Sequence, residues 1–114
     1  MNPSKRNIDT YEEEQQILDP HRVEEQRVAR LEAESRLASR GIGVEKNDPD
    51  ETVADLLDAI ERFENAVERR GGDLMVNRIG SSEPQDPAFV PPVRQPGEDI
   101  STYTQRVEIA THLL

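Results

Sequence analysis

The chain has 114 residues, of which 33% are hydrophobic, 4% aromatic and 33% charged, with 14 Lys+Arg against 24 Asp+Glu and no cysteine. One domain at most fits that length, with a thin core. The net charge of −10 excludes free nucleic acid as an expected ligand, and the missing thiols exclude disulfides, thiolate nucleophiles and thiolate zinc sites.

The imbalance is uneven. Residues 1–47 carry 8 basic and 10 acidic side chains and residues 48–114 carry 6 and 14, so most of the negative charge falls in the second half. Apolar runs such as Leu74-Met75-Val76 are only three residues long, so neither a signal peptide nor a membrane-spanning helix is expected, and a reducing cytoplasm, or a particle assembled inside the cell, is the location that fits.

Residues 1–9 are polar, contain Pro3, Lys5 and Arg6, and read as a flexible N-terminal arm. Asp9 or Thr10 followed by Glu12 and Glu13 forms a capping-box pattern, opening a helix that reaches about Leu18. Asp19-Pro20 interrupts it, so residues 10–40 are expected as one helix kinked near Pro20 or as two helices meeting there. Between Pro20 and Arg40 the apolar positions Val23, Val28, Leu31 and Leu37 are interrupted by Arg27, Arg30 and Glu34, a face too mixed for a deep core. Gly41 closes this helix, and residues 41–47 suffice for an antiparallel return. A helical hairpin over residues 10–72 follows, in which Arg27 and Arg30 face the row Glu61, Glu64 and Glu68.

Residues 48–72 contain the clearest helix. Asp48 is a cap by residue type, Pro49 suits the first helical position, and Asp50 and Glu51 complement the positive end of the dipole. Val53, Leu56, Leu57, Ile60, Phe63 and Val67 then recur at i, i+3, i+4, i+7 spacing, which predicts a helix over 49–70 with one buried face. Arg69, Arg70 and Gly71 mark its end. Such a face requires a surface to lie against, because tertiary packing supplies most helix stability in proteins.

Asp73–Ile79 reads as a short extended piece or single strand, in which Leu74–Val76 is suited to packing on the chain's own helices or to adding a strand to a partner's sheet. Residues 73–98 then hold Pro84, Pro87, Pro91, Pro92 and Pro96, which predicts an extended Pro-rich arm. Pro84-Gln-Asp-Pro87 matches PxxP, a motif short enough to arise by chance, while Phe89, Val90 and Val93 form an apolar island that pins the arm to a surface. A last helix over 100–113, within a segment 99–114, has Asp99 or Ser101 as cap and Ile100, Tyr103, Val107, Ala110 and Leu114 on one face. The fold class is mainly α: two to three amphipathic helices with an extended arm.

Catalytic and metal patterns are not found. His21 and His112 lack ligand spacing, Glu108/His112 is a helix-surface pair, and Asp48-Pro-Asp50-Glu51 lacks the alternating ligands of a calcium loop. Gly71-Gly72 and Gly41-x-Gly43 terminate helices rather than cradle phosphate. Neither a cofactor nor catalytic activity is expected. The sequence points to a non-enzymatic accessory or structural subunit that docks on a larger assembly or on itself, through Val53, Leu56, Leu57, Ile60, Phe63, Val67, Tyr103 and Val107 on helix faces and Phe89 and Val93 on the arm. The second reading is an acidic regulator or inhibitor whose face Asp55, Asp58, Glu61, Glu64 and Glu68 engages a basic partner surface.

Overall fold

The computed structural model describes residues 20–114, which form three α-helices, α1 (Pro20–Ala38), α2 (Asp50–Arg69) and α3 (Ile100–His112), and one turn of 3-10 helix (Pro87–Phe89). No strand occurs among the described residues. The expected arm over 1–9 and helix over about 10–18 lie outside them. The mainly helical class and the three helices follow the sequence pattern.

The apolar stripe of α2 is buried along its whole length: Val53, Leu56, Ile60 and Val67 have no exposed surface, and Leu57, Ala59 and Phe63 at most 8%. Its C-terminus is a Schellman motif, in which Gly72 donates to the Val67 carbonyl at 2.9 Å and Gly71 to that of Glu68 at 2.9 Å. Gly71 takes the left-handed conformation (φ 82°), and a Cβ on Gly72 would stand 2.4 Å from Val67 Cγ1 and 2.9 Å from Phe89 Cδ2. Only glycine lets the chain turn this tightly under the 3-10 helix. The N-terminus departs from expectation. Pro49, not Asp48, is the N-cap, and it has no side chain to satisfy the first amides. Asp48 is drawn away because its carboxylate accepts the Glu45 N–H at 2.8 Å and pairs with Arg94 at 2.9 Å.

The order of contacts along the helices fixes their direction. Arg30 of α1 lies by Asp50 and Arg40 by Glu64, so α1 and α2 run in the same sense. Arg62 of α2 lies by Glu108 and Arg70 by Leu114, so α3 runs that way too. The expected antiparallel hairpin is therefore corrected: residues 41–47 return along the bundle before α2 begins, and residues 72–99 do so before α3. Arg30 meets Glu34, Asp50 and the Glu45 and Asp48 carbonyls instead of the Glu61–Glu64–Glu68 row. The exposed Arg27 pairs with Glu24 on its own helix. A parallel sense places position 30 beside the start of α2 and leaves position 40 to reach Glu64.

The second return is the Pro-rich segment. Leu74–Val76 is a turn and not the extended piece expected, because the Asp73 carboxylate accepts the Met75 N–H at 2.8 Å and the Asp73 carbonyl accepts the Asn77 N–H at 3.0 Å. Asn77, 3% exposed, is fully engaged with Gln85: its amide donates to Gln85 Oε1 at 2.8 Å and its Oδ1 accepts the Gln85 N–H at 2.9 Å. Asp86 caps the 3-10 turn by accepting from Ala88, so the PxxP stretch is folded back on itself. Phe89 then packs on the core, Pro91 is buried, and the Tyr103 hydroxyl donates to the Pro92 carbonyl at 2.8 Å. The segment is pinned to its own helices.

The core gathers α2 with Leu37 and Ala33 of α1, Ile42 of the first return, and Ile100, Tyr103 and Val107 of α3. Among the described residues no buried side-chain polar atom lacks a hydrogen-bond partner.

Candidate functional site

The residues that the sequence marks for docking divide sharply. Val53, Leu56, Leu57, Ile60, Phe63, Val67, Tyr103 and Val107 are all inside the core, where α2 and α3 cover each other, so none of these side chains is presented to a partner in the folded chain. Phe89 is part-buried against the same core, and Val93 alone stays in the open, 52% exposed. The acidic positions also separate. At 100° per residue Asp55 and Glu64 lie about 180° apart around α2. Asp55 and Asp58 line a shallow groove with Ser101, Thr104 and Glu108 of α3, whereas Glu64 turns to α1 and takes Arg40 in two bonds of 2.7 and 2.9 Å. They do not form one acidic face.

Two ion pairs stand at the end of the bundle where α2 and α3 begin, and the first of them joins segments 46 positions apart. Arg94 donates to both Asp48 oxygens at 2.9 and 3.2 Å and to the Glu98 carbonyl at 3.1 Å. Arg106 donates to both Glu98 oxygens at 2.7 and 2.8 Å and to the Val93 carbonyl at 2.6 Å, with its guanidinium 5.7 Å from the Tyr103 ring centroid. The hydrogen bond from Arg94 holds the Asp48 carboxyl below its ordinary range. The hydrogen bond from Arg106, helped by the Gln95 N–H, pulls Glu98 from 4.5 to about 2. Burial pushes the Tyr103 hydroxyl up to about 12. Carboxyls shifted downward by paired arginines are locked as anions, the reverse of what a proton donor requires.

What remains open to a partner lies elsewhere. Residues 20–29 of α1 are exposed at every position, with Val23 49%, Val28 50% and Leu31 50% exposed. By helical spacing these three side chains fall within about 140° of arc, away from the Ala33–Leu37 face that meets α2. The second open feature is an apolar cleft of about 240 Å³ where the Pro-rich segment begins, lined by Phe63, Leu74, Ile79 and Phe89 with Met75 and Arg78 at its mouth. Sequence reasoning missed the cleft, since its walls come from four separate segments. It also dismissed α1 for the mixed stripe that makes it open.

The chain matches no protein-family model, no curated protein and no solved structure. Among the described residues no helix is long and apolar enough to cross a membrane.

Proposed function

We propose that the protein is a non-enzymatic accessory or structural subunit that docks, through the exposed N-terminal half of α1, onto a larger protein assembly or onto a second copy of itself. The observation that carries this reading is that residues 20–29 are exposed at every position and that Val23, Val28 and Leu31 are half-exposed. A short helical stretch with no buried residue gains little from packing and is marginal in water, because nucleation is costly and short isolated helices are poorly populated. A partner laid along this arc would bury the three apolar side chains and stabilise the turns beneath them. Charge favours the same surface. α1 carries four arginines and four glutamates in a chain whose net charge is −10, so approach along this helix meets little of the repulsion expected elsewhere.

The downward shift of the three perturbed carboxyls, Glu24, Asp48 and Glu98, each beside an arginine, supports the non-catalytic part of the reading. The acidic-regulator alternative draws less support, because Asp55 and Glu64 point to opposite sides of α2 and Glu64 is engaged by Arg40.

A photo-crosslinking amino acid placed at Val28, and separately at Asp58, in cells that make the protein tests the proposal. A discrete adduct from position 28, lost on Leu31→Glu and absent from position 58, is the expected result. The melting curve of the isolated Leu31→Glu chain should stay unchanged. Adducts from position 58 alone, with none from 28, would give the working surface to the acidic groove instead.

A further inference from the structure

The cleft beside α2 has a recognisable chemistry. Its floor and walls are Phe63 from α2, Leu74 and Ile79 from the start of the Pro-rich segment, and Phe89 from the 3-10 turn. At about 240 Å³ it falls below the roughly 300–1,000 Å³ of small-molecule and cofactor pockets, and its size suits one large apolar side chain used as an anchor. Met75 stands at the mouth, 76% exposed, and its unbranched thioether can fold over an entering group without strain.

The polar groups at the rim decide what accompanies that anchor. Asn77 is saturated by Gln85 and Asp73, and Arg40 is held by both oxygens of Glu64. Arg78 is different: its one hydrogen bond is a long 3.5 Å contact to the Ser39 carbonyl, and no carboxylate of the described residues lies within 4.0 Å of it. In a chain with ten excess negative charges, an exposed guanidinium left without a carboxylate beside an apolar cleft is a complementary group in want of an anion.

We propose that this cleft receives a large apolar side chain from an acidic peptide segment of a protein partner, with a carboxylate adjacent to that side chain in the segment engaging Arg78. The inference rests on the docking-subunit reading and adds a second contact point and the chemistry of the partner.

The test is a nuclear magnetic resonance titration of the full chain, labelled with nitrogen-15, using acetyl-Ser-Glu-Phe-Glu-Ser-amide as probe. Saturable shifts confined to the amides of Leu74, Met75, Arg78, Ile79 and Phe89 are expected. Replacing the probe's Phe by Ala should weaken binding at least about tenfold, and replacing both Glu by Gln about three- to tenfold. Arg78→Gln should abolish the difference between the Glu and Gln probes, while its amide spectrum elsewhere stays that of the parent, since the side chain it removes makes only the one long contact. No saturable shift, shifts spread beyond these residues, or equal affinity for the Glu and Gln probes would overturn the proposal. So would shifts at the same amides produced by raising the protein concentration alone, which would give the cleft to a second copy. The crosslink from position 28 does not involve Arg78, so failure of the titration with that crosslink intact removes the cleft and leaves the docking reading standing.

Discussion

Residues 20–29 of α1 and the helix α2 resemble each other at the sequence level, each being charged and each carrying arginine, glutamate and valine. In the folded chain one of them has no buried residue and the other buries seven. The difference is spacing. The apolar residues of α2 return every three or four positions and align into one stripe, whereas Val23, Val28 and Leu31 spread over an arc that never faces the core. A helix can thus form part of the structure without contributing to its centre.

The largest effect that would expose this contrast is a truncation in the stripe. Phe63→Ala removes a side chain 1% exposed, and the expected loss is about 3–5 kcal/mol, enough to shift the whole denaturation curve. Far-UV circular dichroism against urea measures it. Phe63 itself lines the cleft, so peptide binding should fall as well.

Asp48→Asn comes next. It leaves Arg94 without its carboxylate, and a cost of about 2–4 kcal/mol is expected for breaking a largely buried pair by one partner. The pH dependence sharpens the same point. Asp48 and Glu98 both have folded pKa values below their ordinary ones, so the stability they add is complete above about pH 5 and is lost as the pH falls through the folded values, which for Glu98 is about 2. The parent should therefore destabilise steeply in acid, and Asp48→Asn should flatten that limb. An acid limb of unchanged slope in the variant would show that Asp48 does not contribute to it.

Gly72→Ala tests the turn that lets the Pro-rich segment fold back. The added Cβ meets Val67 and Phe89 at 2.4 and 2.9 Å, and about 1–3 kcal/mol of destabilisation is expected. Gly43→Ala is its control, since nothing lies within 4 Å of a Cβ there and its φ is not positive, so no loss and a gain of up to about 1 kcal/mol should appear in the same melts.

The smallest effect belongs to α1. Val28→Ser should change the stability of the isolated chain by no more than about 0.5 kcal/mol, because half of the side chain is already in water. Hydrogen exchange places the two regions side by side: amides of residues 20–29 should exchange far faster than those of α2, and only an association that covers α1 should slow them.

The mainly helical class, α2 and α3, and the end of α2 at Gly71 were legible in the sequence, because periodicity and capping are local properties of consecutive residues. Asp99 was a readable cap for α3, and its carboxylate accepts the Ser101 N–H at 3.0 Å. Asp48 was readable as a cap by the same rule and is not one, since its partner Arg94 lies 46 positions away. Periodicity also identifies which face of a helix is apolar without naming what covers it. That Val53–Val67 would be met by the chain's own α3 depended on residues 72–99 running back along the bundle, which sets Tyr103 and Val107 in the core with α2. The sense of the helices, the Asp48–Arg94 pair at the start of α2, and the cleft at the root of the Pro-rich segment all depend on contacts between segments far apart in sequence. The sequence by itself determined which segments would be helical and which side chains needed cover. Only tertiary packing decided where the cover came from, because loop closure over tens of residues costs little and leaves many arrangements open until side chains interlock.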